Sequence, residues 1–150
     1  MKSMITSVKK SVIFLAVISF LGTALNASAL DKNGNFESIK EQDEFIAKTL
    51  KNMANEINSQ TPIQIDEETV VMFVVSLQKT ITFNLRLPQV RFSDIEPNSL
   101  AQIARENLNH TVCQNEATQQ LIDLGVEYVY LYSDSDGKQI TRVSINNYHC

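Results

Sequence analysis

Tryptophan is absent from this 150-residue chain, and cysteine, histidine, proline and glycine are scarce, at two, two, three and four. Two cysteines cannot build a disulfide-dense scaffold. Four scattered glycines leave no phosphate loop and no dinucleotide fingerprint. No serine elbow and no zinc-binding helix motif is present either. Basic clusters are also missing: Lys32, Lys40, Lys48, Lys51, Arg86, Arg91 and Arg105 stand apart from one another. Binding to DNA or RNA is therefore disfavoured, because that affinity is carried by grouped cations. The one long apolar run, from Val12 to about Leu25, is about 14 residues, short of the ~20 that span a membrane.

What is there begins with an address. Lys2, Lys9 and Lys10 precede the apolar run, and Ala27-Ser28-Ala29 follows it. That is the three-part plan of a secretory signal peptide, with small residues before a cut after Ala29. Residues 1–29 are read as the signal and 30–150 as one domain, with no membrane insertion once the signal is removed. Losing three lysines takes the basic residues from 13 to 10 against 17 acidic ones, a net charge of −7. The destination is periplasmic or secreted.

In the mature chain, Leu30 to Asn35 is polar, and Asp31-x-Asn33-Gly34-Asn35 has neither the glycine nor the glutamate spacing of a calcium loop. From Phe36 to Gln60 the apolar residues Ile39, Ile46, Leu50, Met53 and Ile57 fall on one helical stripe, and Ser38-x-x-Glu41 can cap it. Thr61-Pro62 stops the helix, and Ile63 to Asp66 reads as a short extended piece. Thr69 to Leu77 is a β-branched run with little alternation, so both faces are expected to be partly buried. After Gln78-Lys79 the alternation is clean: Ile81, Phe83, Leu85 and Leu87 on one face, Thr80, Thr82, Asn84 and Arg86 on the other. Val70, Met72 and Val74 are the candidate interaction surface on the first of these strands. Two shorter helices follow, Ser99 to Thr111 with Leu100, Ala104 and Leu108 as its stripe, and Gln114 to Leu124 ended by Gly125.

A second hairpin closes the chain, Val126 to Tyr132 and Ile140 to Ile145 around Asp134-Ser135-Asp136-Gly137. A two-residue turn at Asp136-Gly137 pairs Tyr132 with Thr141, Tyr130 with Val143 and Tyr128 with Ile145. A three-residue loop with Gly137 left-handed pairs Tyr132 with Ile140 instead. The first register puts the tyrosines opposite apolar partners in the core and is preferred. Cys113 and Cys150 form one disulfide, since an exported chain with two thiols has one possible pairing. Such a bond is worth about 3–4 kcal/mol by chain entropy.

The catalytic candidates are few. His110 precedes Cys113 and His149 adjoins Cys150, so a Cys–His nucleophile or a metal site can be drawn, but each needs a free thiol. Asp134 and Asp136 share a turn where their backbone bonding accounts for them, and Glu67-Glu68 is a solvated strand entry. Asn109-His110-Thr111 fits a glycosylation sequon that is idle in a bacterial-style exported chain. No catalytic residue, metal site or cofactor is assigned.

The chain resembles a family of small exported bacterial proteins, one branch of which is labelled "putative quorum-sensing-regulated virulence factor". The residues that carry the resemblance are Met53-Ala54-x-Glu56-Ile57-Asn58-x-x-Thr61-Pro62-Ile63-x-Ile65-Asp66, then Val112-Cys113-x-Asn115 with Leu121, Leu124, Gly125 and Val126. Tyr130-x-Tyr132-x-Asp134-x-Asp136-Gly137 and the final cysteine complete it. The resemblance implies a compact exported α/β sandwich and brings no catalytic residue with it. The expected fold is α+β: an antiparallel sheet of four to five strands, made of two hairpins, against two or three helices. The expected function is a monomeric, non-catalytic protein whose partner is another protein of the envelope, of secretion or of virulence. The alternatives are an inhibitor of a host or rival enzyme such as a lysozyme, and then a small enzyme.

Overall fold

The structure, a computed structural model, describes residues 35–150. The signal peptide, its cut after Ala29 and the polar start of the mature chain lie outside the described residues.

Helix α1 (Ile39–Asn58) begins where its sequence says it should. The Ser38 hydroxyl accepts the Glu41 N–H at 3.1 Å, and the Glu41 carboxylate reaches back to accept the Glu37 N–H at 3.0 Å. One orphan donor of the helix start is satisfied this way, and the N–H of the residue before the cap is held as well. Ile46, Leu50, Met53, Ala54 and Ile57 are buried. Ile39, expected in the same stripe, is instead exposed, because the helix's first turn projects beyond the core.

Five strands follow in space as they do in sequence: β1 (Ile63–Gln64), β2 (Val70–Leu77), β3 (Thr80–Arg86), β4 (Glu127–Ser133) and β5 (Gln139–Ile145). Strands β2 and β3 form a hairpin on the two-residue turn Gln78-Lys79, with Leu77 opposite Thr80 and Gln78 at φ 52. The expectation of an antiparallel sheet fails at one seam, where β3 and β4 run parallel, from Thr80 opposite Glu127 to Arg86 opposite Ser133. Parallel neighbours need a long crossover, and the one here carries helices α2 (Pro97–Cys113) and α3 (Glu116–Asp123).

Helix α2 starts on Pro97, which has no N–H to leave unpaired, and the Glu96 carboxylate accepts the Ser99 N–H at 2.6 Å. Asn115 caps α3 by accepting the Thr118 N–H at 3.1 Å. Thr118 is buried, and its hydroxyl donates to the Val112 carbonyl, tying α3 to the end of α2. Gly125, at φ 90, ends α3 in the left-handed geometry that glycine adopts without cost.

Helix α1 packs on β2 and β3, and α2 packs on β5. The core lies between these helices and one face of the sheet. Tyr128 and Tyr130 are buried in it, and the Phe83 ring stacks on Tyr130 with centroids 5.1 Å apart across the parallel seam. Burial raises the phenol pKa of Tyr128, Tyr130 and Tyr132 well above its ordinary value. These rings are core, not a stacking surface.

The last hairpin keeps the expected pairing by an unexpected route. Tyr132 faces Thr141, Tyr130 faces Val143 and Tyr128 faces Ile145. The loop itself is the longer alternative, however. The Gly137 N–H bonds to the Asp134 carbonyl, Gly137 is left-handed at φ 86, and the Asp134 N–H bonds to the Lys138 carbonyl. A register shift between Tyr132 and Ser133 leaves Ile140 unpaired, and that extra residue restores the register that a shorter turn would have set. The disulfide joins Cys113 at the end of α2 to Cys150, with the Cα atoms 5.3 Å apart.

Candidate protein-binding face

Both helix layers sit on one side of the sheet, so among the described residues the outward side is lined by side chains of the strands alone. On β2 the outward residues are not those that plain alternation predicts. A bulge between Val71 and Phe73 shifts the pairing with β3. Val71 and Val74 therefore both point inward, and Val74, expected at the surface, is 2% exposed in the core. Val70 and Met72 are half-buried. Past the bulge, the outward row is Phe73, Val75 and Leu77, at 49%, 50% and 73% exposure. The run was expected to be partly buried on both faces; beyond Met72 only one face is. A clue was present in Ser76, the single polar residue of the strand, which shares the inward phase with Val74. Nothing local marks the bulge itself.

The free edge of β2 is closed by a side chain. Asn58, the last residue of α1, donates from Nδ2 to the Val74 carbonyl and accepts the Val74 N–H at Oδ1, both at 2.7 Å. The amide does what one residue of a neighbouring strand would do, continuing the short β1 along the edge.

Beside the apolar row, β3 presents Thr80, Thr82, Asn84 and Arg86 outward. Arg142 of β5 meets Glu127 of β4 at 3.8 Å, a partly exposed pair, and Val129 of β4 is buried on the same face. The Nε of Arg86 is buried without a hydrogen-bond partner. At the turn end, Lys79 is held by Asp43 of α1 at 2.6 Å and by the Leu124 carbonyl at 3.3 Å.

Asp134 is the best-connected polar side chain of the second hairpin. It is buried and accepts three backbone N–H groups, from Phe92 (3.1 Å), Asp136 (3.0 Å) and Lys138 (2.8 Å). Burial by itself would raise the carboxyl's pKa; the N–H groups of Lys138, Phe92 and Asp136, with the Lys138 ammonium, outweigh it and hold the group below the ordinary carboxylate range. The same ammonium lies 3.7 Å from the centre of the Phe92 ring. This is a loop clamp, as the turn reading held, but one that also fixes the distant segment around Phe92.

The catalytic candidates do not converge. Both sulfurs are in the disulfide, so neither the Cys–His pair nor a thiolate metal site has its thiol. His110 is exposed near the end of α2, and the His149 ring bonds Asn146 at 2.9 Å. Among the described residues no three His, Cys, Asp or Glu side chains cluster as metal ligands. A shallow hollow lined by Phe36, Ser38, Ile39, Gln42 and Leu124 has no acid, base or thiol, and its serine is the helix cap.

The sequence profile of the family described as "Putative quorum-sensing-regulated virulence factor" matches residues 38–150. The chain belongs to this family. The match runs from the Ser38 cap to the terminal cysteine and so covers every helix and strand of the described residues. No curated relative matches by sequence. Among solved structures, a "putative secreted protein" of Pseudomonas aeruginosa is similar at 19% identity and TM-score 0.62, covering 73% of this chain and 96% of that one. The type II secretion system pilotin AspS of Vibrio cholerae is similar at 12% identity and TM-score 0.59, over 75% of this chain and 98% of that one. The pilotin EpsS of the Vibrio vulnificus type 2 system is similar at 16% identity and TM-score 0.62, over 74% and 96%. At these identities the likeness is one of fold. Among the described residues, no helix is long and apolar enough to cross a membrane.

Proposed function

We propose that this family member is a non-catalytic protein of the cell envelope or the secreted fraction that binds another protein, a component of a secretion machine, through the open face of its sheet. The observation that carries this reading is the outward row Phe73, Val75 and Leu77, large apolar side chains left in water on a domain of net charge −7. Apolar surface of that kind on a small acidic protein marks a contact site. Two neighbours of the same fold are named as pilotins of type II secretion, and none is named as an enzyme. The lysozyme-inhibitor alternative draws no support from them. Export is part of the same reading: the stable protein begins at Leu30.

The test is a photo-crosslinking residue placed at Val75 of the full chain in the native cell. The expected result is one dominant adduct with an envelope protein, lost when Leu77→Asp is added. Absence of any adduct from Val75, with adducts appearing from an exposed helical position such as Gln119, would move the contact off this face. N-terminal sequencing of the same material checks the start at Leu30.

A further inference from the structure

The sheet ends differently at its two edges. On the β1 side the Asn58 amide occupies the backbone groups of Val74. On the other side β5 pairs with β4 alone. The direction of the backbone tells which groups of β5 are left over. The Glu127 N–H donates to the Lys79 carbonyl and the Ser133 carbonyl accepts the Leu87 N–H, so the odd-numbered residues of β4 turn their backbone groups toward β3. Alternation turns those of Tyr128, Tyr130 and Tyr132 toward β5, where Ile145, Val143 and Thr141 lie opposite. Arg142 and Ser144, between them, aim N–H and C=O away from the sheet, and no hydrogen bond within the described residues reaches them. Edge strands are normally blunted by proline, by an inward charge or by cover. Strand β5 has no proline, and its one charged residue, Arg142, is drawn back over the outer face toward Glu127.

What lies over this edge narrows the occupant. Helix α2 packs on β5 and on no other strand to that extent. A helix is about 10 Å across and neighbouring strands are about 4.8 Å apart, so a helix seated on the outermost strand also overhangs the place of a sixth. The disulfide joins the end of α2 to the segment that follows β5, and so ties helix and strand together. The result is a slot with a backbone wall on β5 and a side-chain roof on α2. A second copy does not fit it. Pairing two β5 edges about a twofold axis would set the two α2 helices over adjacent strands, closer than the roughly 8–10 Å that packed helices need.

We infer that β5 takes up an extended segment of a partner protein as a sixth strand of the sheet. Arg142 and Ser144 supply its main-chain hydrogen bonds, and alternate side chains of the segment lie under α2, which selects apolar residues at every second position. The Phe73, Val75 and Leu77 row lies toward the other end of the sheet, so this contact adds to the open-face one and does not depend on it.

The test uses the exported chain with its disulfide intact and a labelled peptide of the length of β5 that alternates valine and threonine. A second peptide has the same side chains and methylated backbone nitrogens. Fluorescence anisotropy should show the first peptide binding about 10-fold more tightly than the second, which has lost its donors. Hydrogen exchange followed by NMR reads the site itself. Without peptide, the amides of Arg142 and Ser144 should exchange fast and those of Thr141, Val143 and Ile145 slowly. With the first peptide, the Arg142 and Ser144 amides should slow by about 10-fold. Ser144→Pro removes one outward donor and should weaken the peptide about 5-fold, with the circular dichroism of the parent. Equal binding of the two peptides, Arg142 and Ser144 amides already protected in the free monomer, or no change at these amides on adding the first peptide would each overturn the inference. A concentration-dependent dimer that protects the same two amides would overturn it too, in favour of a second copy.

Discussion

The two hairpins of this domain are built from similar strands and held in opposite ways. The second, β4 and β5, is fastened from all sides. Its loop is pinned by a buried carboxylate that also grips Phe92, its far end is followed by a disulfide to α2, and α2 packs on its inner face. The first, β2 and β3, turns on two residues and has no covalent tie; its edge is closed by the two-residue β1 and one amide, and α1 packs on its inner face. Its outer face keeps its apolar side chains in water. The disulfide and the buried carboxylate lie away from the open-face contact, and the exposed apolar row lies on the hairpin that has neither. The difference suggests a division between a fixed platform and a contact strand.

Four measurements break or sharpen that contrast. The largest effect belongs to the bond behind the second hairpin. Cys113→Ala, Cys150→Ala and the double variant should each lose about 3–4 kcal/mol, lowering Tm by roughly 10–25 °C in a domain of this size. The double variant should be no worse than either single one. Thiol titration of the unfolded protein should find no free cysteine, and two free thiols would refute the bridge.

Next comes the amide that closes the first hairpin. Asn58→Ala leaves the N–H and C=O of Val74 without their partner, a loss of about 1–3 kcal/mol and roughly 4–12 °C in Tm. The exposed edge should also make the variant more prone to associate, which light scattering would show. A Tm equal to the parent would mean that water replaces the amide at no cost.

Asp134→Asn should cost a few degrees at neutral pH, and its signature is the pH dependence. The native carboxyl titrates below its ordinary value of 3.8, so its stabilising effect is present in full above that value and is lost as pH falls through the lower native one. The gap in Tm between parent and variant should therefore narrow on going from pH 6 toward pH 2. A gap independent of pH would assign the clamp to shape and not to charge.

The smallest effect should come from the exposed row. Leu77→Ser and Val75→Thr remove side chains that face water, so their stability should stay within about 0.5 kcal/mol of the parent. A larger loss would mean that the row supports the fold, and the division between platform and contact strand would fail.

Much of this architecture can be read locally. The Ser38-x-x-Glu41 cap, the stripe from Ile46 to Ile57, the Gln78-Lys79 turn, the stop at Gly125 and the single cysteine pair are each decided by residues within a turn or two, or by arithmetic. What cannot be read this way depends on contacts far apart in the chain. The bulge before Phe73 has no signal in a run of similar β-branched residues, so the alternation counted from Val70 put Val74 outside and passed over Phe73, Val75 and Leu77. The longer loop at Gly137 was offset by an unpaired Ile140, and two departures cancelled into the expected register. Asn58 reads as a helix terminus, yet its amide serves a strand 16 positions on. The parallel seam follows from how a crossover returns, which strand patterns alone leave open.

That seam also sets the order in which the molecule can assemble. Each hairpin closes a short loop, and isolated hairpins form in about 1–10 μs. Joining them requires Thr80 to find Glu127 across the whole of α2 and α3, and such distant pairings are what slow a chain down. The Phe83–Tyr130 stack lies on this late contact, so the heart of the core is completed only when the two halves meet. Until then the inward faces of both hairpins are open to water. The join between the hairpins is thus the apolar surface that a folding chain covers last.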